Sequence, residues 1–154
     1  MILGHSERRA ALGETDAVVA AKVSAALAHG VVPIVCIGET AEQRAAGQTE
    51  AVLSQQLAAV AAAVNGNWGA VVVAYEPVWA IGGSAAAPAQ IAETVGAIKR
   101  WLGEKGAAGV RVLYGGAVNK DNAATIAAIV RRIYRMRSQQ KYHICVYLGV
   151  LDLV

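Results

Sequence analysis

Ala70-Val71-Val72-Val73-Ala74-Tyr75-Glu76-Pro77-Val78-Trp79-Ala80-Ile81-Gly82-Gly83-Ser84 is the stretch on which the reading of this 154-residue chain turns. It begins as a valine-rich run with no polar interruption, as a strand buried on both faces of a parallel sheet does. The run stops at Glu76-Pro77. Proline holds the residue before it in extended geometry, so Glu76 is expected at the C-terminal tip of the strand with its direction fixed. Trp79 and Ile81 are apolar enough to cover a carboxylate, and Gly82-Gly83-Ser84 can hinge and present backbone N–H groups. These residues alone support two readings. One is a general base whose pKa burial lifts toward neutrality; the other is a strand, a proline turn and a flexible loop.

The same punctuation recurs along the chain. Residues 31–37 form an apolar run ending in Cys36-Ile37-Gly38-Glu39, and residues 110–114 lead into Gly115-Gly116-Ala117. Met1-Ile2-Leu3 has the composition of a strand end that delivers His5 at its tip, with Ser6 as cap of a short helical turn carrying Glu7, Arg8 and Arg9. Between these runs lie helical patterns. The first, capped by Thr15 or Asp16 and stopped by Gly30, puts Val19, Val23, Ala26 and Leu27 on one face. The second, Thr49–Val64, repeats apolar residues at Leu53, Leu57, Val60 and Val64, and Asn65-Gly66-Asn67 turns it into the central strand. The third opens at Pro88, runs to about Lys105 and faces Ile91, Val95, Ile98 and Leu102 inward.

Strand and helix thus alternate four times, which predicts an α/β fold of right-handed parallel βαβ units. Function in such folds gathers at the C-terminal ends of the strands, where His5, Glu76 and Gly116 all fall. His5 is either an imidazole N–H donor able to polarise a carbonyl or a surface histidine beside paired arginines. Glu7 is either a proton shuttle or a partner for those arginines. Cys36 has no activating neighbour in sequence and is expected to be a packed core thiol. Cys36 and Cys145 lack metal-type spacing and read as two reduced thiols of a cytosolic protein. Glu39 is expected to be structural, paired with an arginine near the His5 loop.

Tyr75-Glu76-Pro77-Val78-Trp79-Ala80-Ile81-Gly82 resembles the signature of triose-phosphate isomerase. Gly4-His5-Ser6-Glu7-Arg8-Arg9, Cys36-Ile37-Gly38-Glu39 and Tyr114-Gly115-Gly116 match the same family in the same order. The resemblance covers residues 1–128 and implies part of a (β/α)8 TIM barrel, with four to five parallel strands alternating with helices. It implies the interconversion of glyceraldehyde 3-phosphate and dihydroxyacetone phosphate, a step of glycolysis and gluconeogenesis, by proton transfer through an enediolate. His5 and Glu76 would be catalytic, Gly82, Gly116 and Ala117 would bind the substrate phosphate, and Glu7 would have a supporting role. No metal or other cofactor is implied. The family usually has serine where this chain has Ala117, which can offer only its N–H.

The matching residues correspond to the middle and later part of a family member. By that resemblance the family's first three strands, and a lysine that helps hold the phosphate, would lie before Met1. The competing expectation is therefore an inactive fragment or phosphate-binding remnant that needs a complementary N-terminal piece. An open part-barrel leaves two sheet edges, so self-association or partial unfolding is expected as well.

Charge divides the chain unevenly. Up to Ala128 there are nine Lys/Arg against ten Asp/Glu, whereas Arg131, Arg132, Arg135, Arg137 and Lys141 face only Asp152 in the remainder. The sequence pI near 9.0 therefore belongs to residues 129–154 and does not make the main body a nucleic-acid binder. About a quarter of residues 1–128 are alanine and none of residues 129–154 is. So abrupt a change is expected of a misjoined or shifted reading frame. The reading is of two parts: residues 1–128 as the partial barrel, and 129–154 as a divergent tail whose first half extends a helix. Residues 142–154 are β-prone and apolar, suited to a further strand or to aggregation. No run of about 18 apolar residues and no basic-then-apolar leader is present, so a cytoplasmic protein without membrane or nucleic-acid partners is expected.

Overall fold

Valine and isoleucine crowd the χ1 torsion of a helix but pack well on a pleated sheet, and the apolar runs of this chain fold accordingly. The computed structural model describes residues 1–81 and 85–135, with side chains through Val130. Its four strands are β1 (Ile2–Leu3), β2 (Ile34–Ile37), β3 (Val72–Tyr75) and β4 (Arg111–Tyr114). Its six α-helices are α1 (Ser6–Leu12), α2 (Asp16–Ala28), α3 (Ala41–Ala45), α4 (Thr49–Val64), α5 (Pro88–Glu104) and α6 (Ala123–Arg135). Among the described residues the strands make one sheet in the order β1-β2-β3-β4. Every pairing is parallel; Val35 lies opposite Val73 and Val73 opposite Val112. A parallel sheet alternating with helices is the expected part of a (β/α)8 barrel.

The continuous apolar runs are explained by two buried faces. Leu3, Val35, Ile37, Val73, Tyr75, Val112 and Tyr114 turn toward the helices and join Val19, Val23, Leu57, Val60, Ile91, Ile98 and Leu102 in the main core. On the opposite face Cys36, Val72, Ala74 and Leu113 form a second cluster, with Ile2 and Ile34 packed against it. Helical periodicity selects the right faces of α2, α4 and α5, since Val23, Leu57, Ile91 and Leu102 are buried. Trp68 and Trp101 meet edge to face at 6.3 Å, tying the turn before β3 to α5. Lys99, buried on α5, donates to the Val110 carbonyl just before β4.

The strands are shorter than their apolar runs, because pairing begins only where a neighbour's backbone is in register. Ser6 does not cap the turn after β1. His5 occupies the cap and Ser6 is the first residue of a seven-residue helix. Sequence reading passed over α3. Its signal was the Thr40/Gln43 capping box, in which Thr40 Oγ1 accepts from the Gln43 N–H and Gln43 Oε1 from the Thr40 N–H. Helix α6 runs past Ala128 to Arg135. Cys145, residues 142–154 and Gly82 lie outside the described residues. Among those described, no helix is long and apolar enough to cross a membrane.

Leu57, 1% exposed at the centre of α4, tests this core. Leu57→Ala should lower the free energy of unfolding by about 2–5 kcal/mol in urea titration. A loss below about 1 kcal/mol would mean that α4 is not seated as described.

Candidate active site

The tip of β3 is held by backbone alone. Beyond the last ladder pair, the Glu76 N–H donates to the Ile37 carbonyl at 2.8 Å and the Val78 N–H to the Glu39 carbonyl at 3.2 Å. Between them Gly38 lies so close that a Cβ on it would fall 1.7 Å from the Glu76 carbonyl oxygen. Only glycine fits. Gly115 is similarly constrained at the end of β4, where a Cβ would stand 3.0 Å from Glu76 Cγ.

Glu76 is thereby aimed inward, with 5% of its surface exposed. Its Oε1 lies 3.0 Å from His5 Nε2, and its Oε2 accepts the Ser6 N–H at 3.1 Å. Burial pushes the Glu76 carboxyl above the ordinary carboxylate value, against the opposing pull of the His5 ring and the Ser6 N–H. The Cys36 thiol lies beside this carboxylate and favours its charged form. It is buried on the inner face, and burial, with the nearby Glu76 charge, raises its own pKa out of the reactive range. A packed thiol is what the sequence predicts at Cys36.

His5 is oriented from its other nitrogen. The Glu7 N–H donates to Nδ1 at 3.4 Å, which leaves Nε2 as the ring's donor, facing Glu76. Glu7 thus contributes through its backbone, while its side chain is 77% exposed and its carboxylate stands 3.9 Å from Nδ1. The residue before His5 is Gly4 at φ +70°, whose carbonyl accepts from Arg9 Nε at 2.9 Å. Arg9 also pairs with Asp16 at 2.7 Å, fastening the His5 loop to α2.

Two expectations need correction. Glu39 does not pair with an arginine of the His5 loop, because Arg8 is taken by Glu14 and Arg9 by Asp16. Its partner is Arg44 of α3 at 3.0 Å, five residues on. Trp79 does not cover Glu76. Its indole N–H donates to Glu39 Oε1 at 2.9 Å, and the Arg44 guanidinium lies 4.6 Å from the ring centroid. The carboxylate is enclosed instead by His5, Ser6, Cys36 and Gly115. Ser6 matters as a backbone donor to Glu76, a role that no side-chain pattern announces.

The Gly116-Ala117 turn sits above β4. A Cβ on Gly116 would stand 2.3 Å from Tyr114 Oη, and the Ala117 carbonyl accepts from Asn122 Nδ2 at 3.1 Å. Glycine is therefore required there by packing against Tyr114. Chemically, the site presents a buried carboxylate beside an imidazole N–H at the C-terminal ends of the strands. That pair can take a proton from carbon and polarise an adjacent oxygen.

The chain matches the family model described as triosephosphate isomerase over residues 1–131. It is 52% identical over 129 residues to triosephosphate isomerase of Azoarcus sp., covering 82% of this chain and 53% of that protein. Against the glycosomal triosephosphate isomerase of Trypanosoma cruzi it is 52% identical over 132 residues, with the same two shares covered. The protein of that name from Hyphomonas neptunium is 51% identical over 133 residues. The chain spans about half the length of these relatives. It belongs to the triosephosphate isomerase family.

Because folding raises the Glu76 pKa from its ordinary value of 4.5, the folded state binds that proton more tightly than the unfolded state. Stability is thus lost as pH rises from 4.5 through the folded pKa. Glu76→Gln removes this penalty. The melting-temperature difference between Glu76→Gln and wild type should grow in the variant's favour from pH 4.5 to pH 8. A difference independent of pH would contradict the burial of a charged carboxylate.

Proposed function

We propose that this member of the triosephosphate isomerase family carries the proton-transfer pair of an aldose–ketose isomerase acting on glyceraldehyde 3-phosphate and dihydroxyacetone phosphate. The observation that carries the reading is the 3.0 Å approach of His5 Nε2 to the enclosed Glu76 carboxylate. Glu76 takes the proton from the carbon α to the carbonyl, and His5 donates through Nε2 to the carbonyl oxygen, giving an enediolate. His5 passes the hydroxyl proton from one enediolate oxygen to the other, and return of the proton from Glu76 to the neighbouring carbon completes the exchange of aldose and ketose. One oxygen of Glu76 accepts the Ser6 N–H, and the other lies 3.0 Å from His5 Nε2. A substrate carbonyl seated against the Nε2–H places its α-carbon toward Glu76 Oε1, the oxygen that no backbone N–H holds. Burial suits the task, since a carboxylate with a raised pKa is the stronger base.

The substrate phosphate is assigned to the backbone N–H groups of the Gly116-Ala117 turn and of Gly82, with glycolysis in the cytoplasm as the setting. Donors of this kind hold an anion without a metal or cofactor, and both proton transfers lie within reach of side chains. Exposed Met1, Leu12 and Val32 together with the edge strands β1 and β4 of the described sheet support self-association. On a calibrated sizing column the chain should elute ahead of a 15.9 kDa monomer. Elution at the monomer position would rule self-association out.

The decisive assay measures isomerase turnover of protein purified from a host lacking its own enzyme. Glu76→Gln should lower kcat by about 10²–10⁴-fold, and His5→Gln by about 10²-fold or more, with smaller effects on KM. Turnover unchanged in Glu76→Gln would eliminate the proposal.

A further inference from the structure

The inward face of α4 carries one polar residue among Leu53, Leu57, Val60 and Val64: Gln56, 9% exposed. Its Oε1 accepts the Gly38 N–H at 2.8 Å and its Nε2 donates to the Gly38 carbonyl at 3.1 Å. A planar carboxamide that takes both backbone groups of one residue fixes that residue in position and in rotation together. An apolar side chain of similar volume would fill the same place in the core, so packing alone does not call for an amide here.

Gly38 is the residue against which the tip of β3 rests. The Glu76 carbonyl oxygen occupies the space that a Gly38 Cβ would need, 1.7 Å away. The residues on either side of Gly38 accept the Glu76 and Val78 N–H groups. A displacement of Gly38 therefore displaces the backbone of Glu76.

We infer that Gln56 is a positioning residue for Glu76, setting from the outer helix layer, through Gly38, the depth at which the carboxylate sits beside His5. The inference rests on the reading of Glu76 as the base and adds the group that places it. Gln56 touches neither His5 nor Glu76 through a hydrogen bond of its own. Its effect passes through a single residue, Gly38, held at the peptide on either side, and loosening that residue admits water to the carboxylate.

The test follows the Glu76 carboxyl by carbon-13 NMR in the full chain, with its signal assigned by loss in Glu76→Gln. Wild type is compared with Gln56→Met and with Val60→Ala, a core change on the same helix one turn further along. Gln56→Met should move the Glu76 titration midpoint down by about 0.5 unit or more as the site hydrates, and Val60→Ala by less than about 0.2 unit. An unchanged midpoint in Gln56→Met, or an equal displacement in Val60→Ala, would overturn the inference. Should Gln56→Met fail to fold, Gln56→Leu serves in its place. It makes neither bond to Gly38 and adds no charge, and the same two outcomes decide. The titration needs no turnover, so absence of isomerase activity would count against Glu76 as base and leave the positioning result legible.

Discussion

Gly38 and Glu76 share a space that admits a carbonyl oxygen or a methyl group but not both. This exclusion sits where β2 and β3 run out of ladder, and several other features meet there. Ile37 and Glu39 accept the N–H groups of Glu76 and Val78, so the chain leaving β3 is still guided by the chain leaving β2. Gln56 holds Gly38 from outside, and Gly115 gives way to Glu76 Cγ on the far side. A side chain at either glycine would push the carboxylate out of its place beside His5.

Holding an ionisable group in so little water costs stability, and the surroundings show how that cost is limited. Each Glu76 oxygen has company from the His5 loop, one a ring nitrogen at 3.0 Å and the other the Ser6 N–H that it accepts. The ring itself is turned by the Glu7 N–H, and its loop is tied by Arg9 to Asp16, which also accepts from Gln55 of α4 at 2.9 Å. Adjacent residues of one outer helix therefore reach both halves of the pair, Gln55 toward the histidine loop and Gln56 toward the glutamate. The geometry of the pair thus depends on the helix layer as much as on the strands that carry it.

The fold was legible in the sequence because its signals are local and repeated. Valine-rich runs ending in glycine or proline marked the strands, and helical spacing marked α2, α4 and α5 with their buried faces. Tyr75-Glu76-Pro77 put the carboxylate at a strand tip, and the structure brings it against His5. What escaped notice depends on the third dimension. Ser6 serves through its main chain, which leaves no trace in its side-chain identity. Glu39 could have been matched with any of three nearby arginines, and only the placement of α3 selects Arg44. Trp79 looked like a cover for Glu76 because the two are neighbours in sequence, yet its indole N–H is drawn to the buried Glu39 carboxylate. Gln56 did leave a trace, as the single polar residue on the inward face of α4, but its partner 18 positions earlier could not be read from spacing.

Strand order in space repeats strand order along the chain, from β1 through β4. A ribosome releases such a chain in the order in which its pieces pair, so each new strand finds its neighbour already made and no earlier contact has to be undone. The contact between Ser6 and Glu76 spans 70 residues and cannot form until β3 emerges. By then β2, α4 and the Gly38 clamp have been synthesised. The carboxylate that most needs company arrives after His5, Ser6, Cys36 and Gly38, and only the Gly115 wall is still to be made.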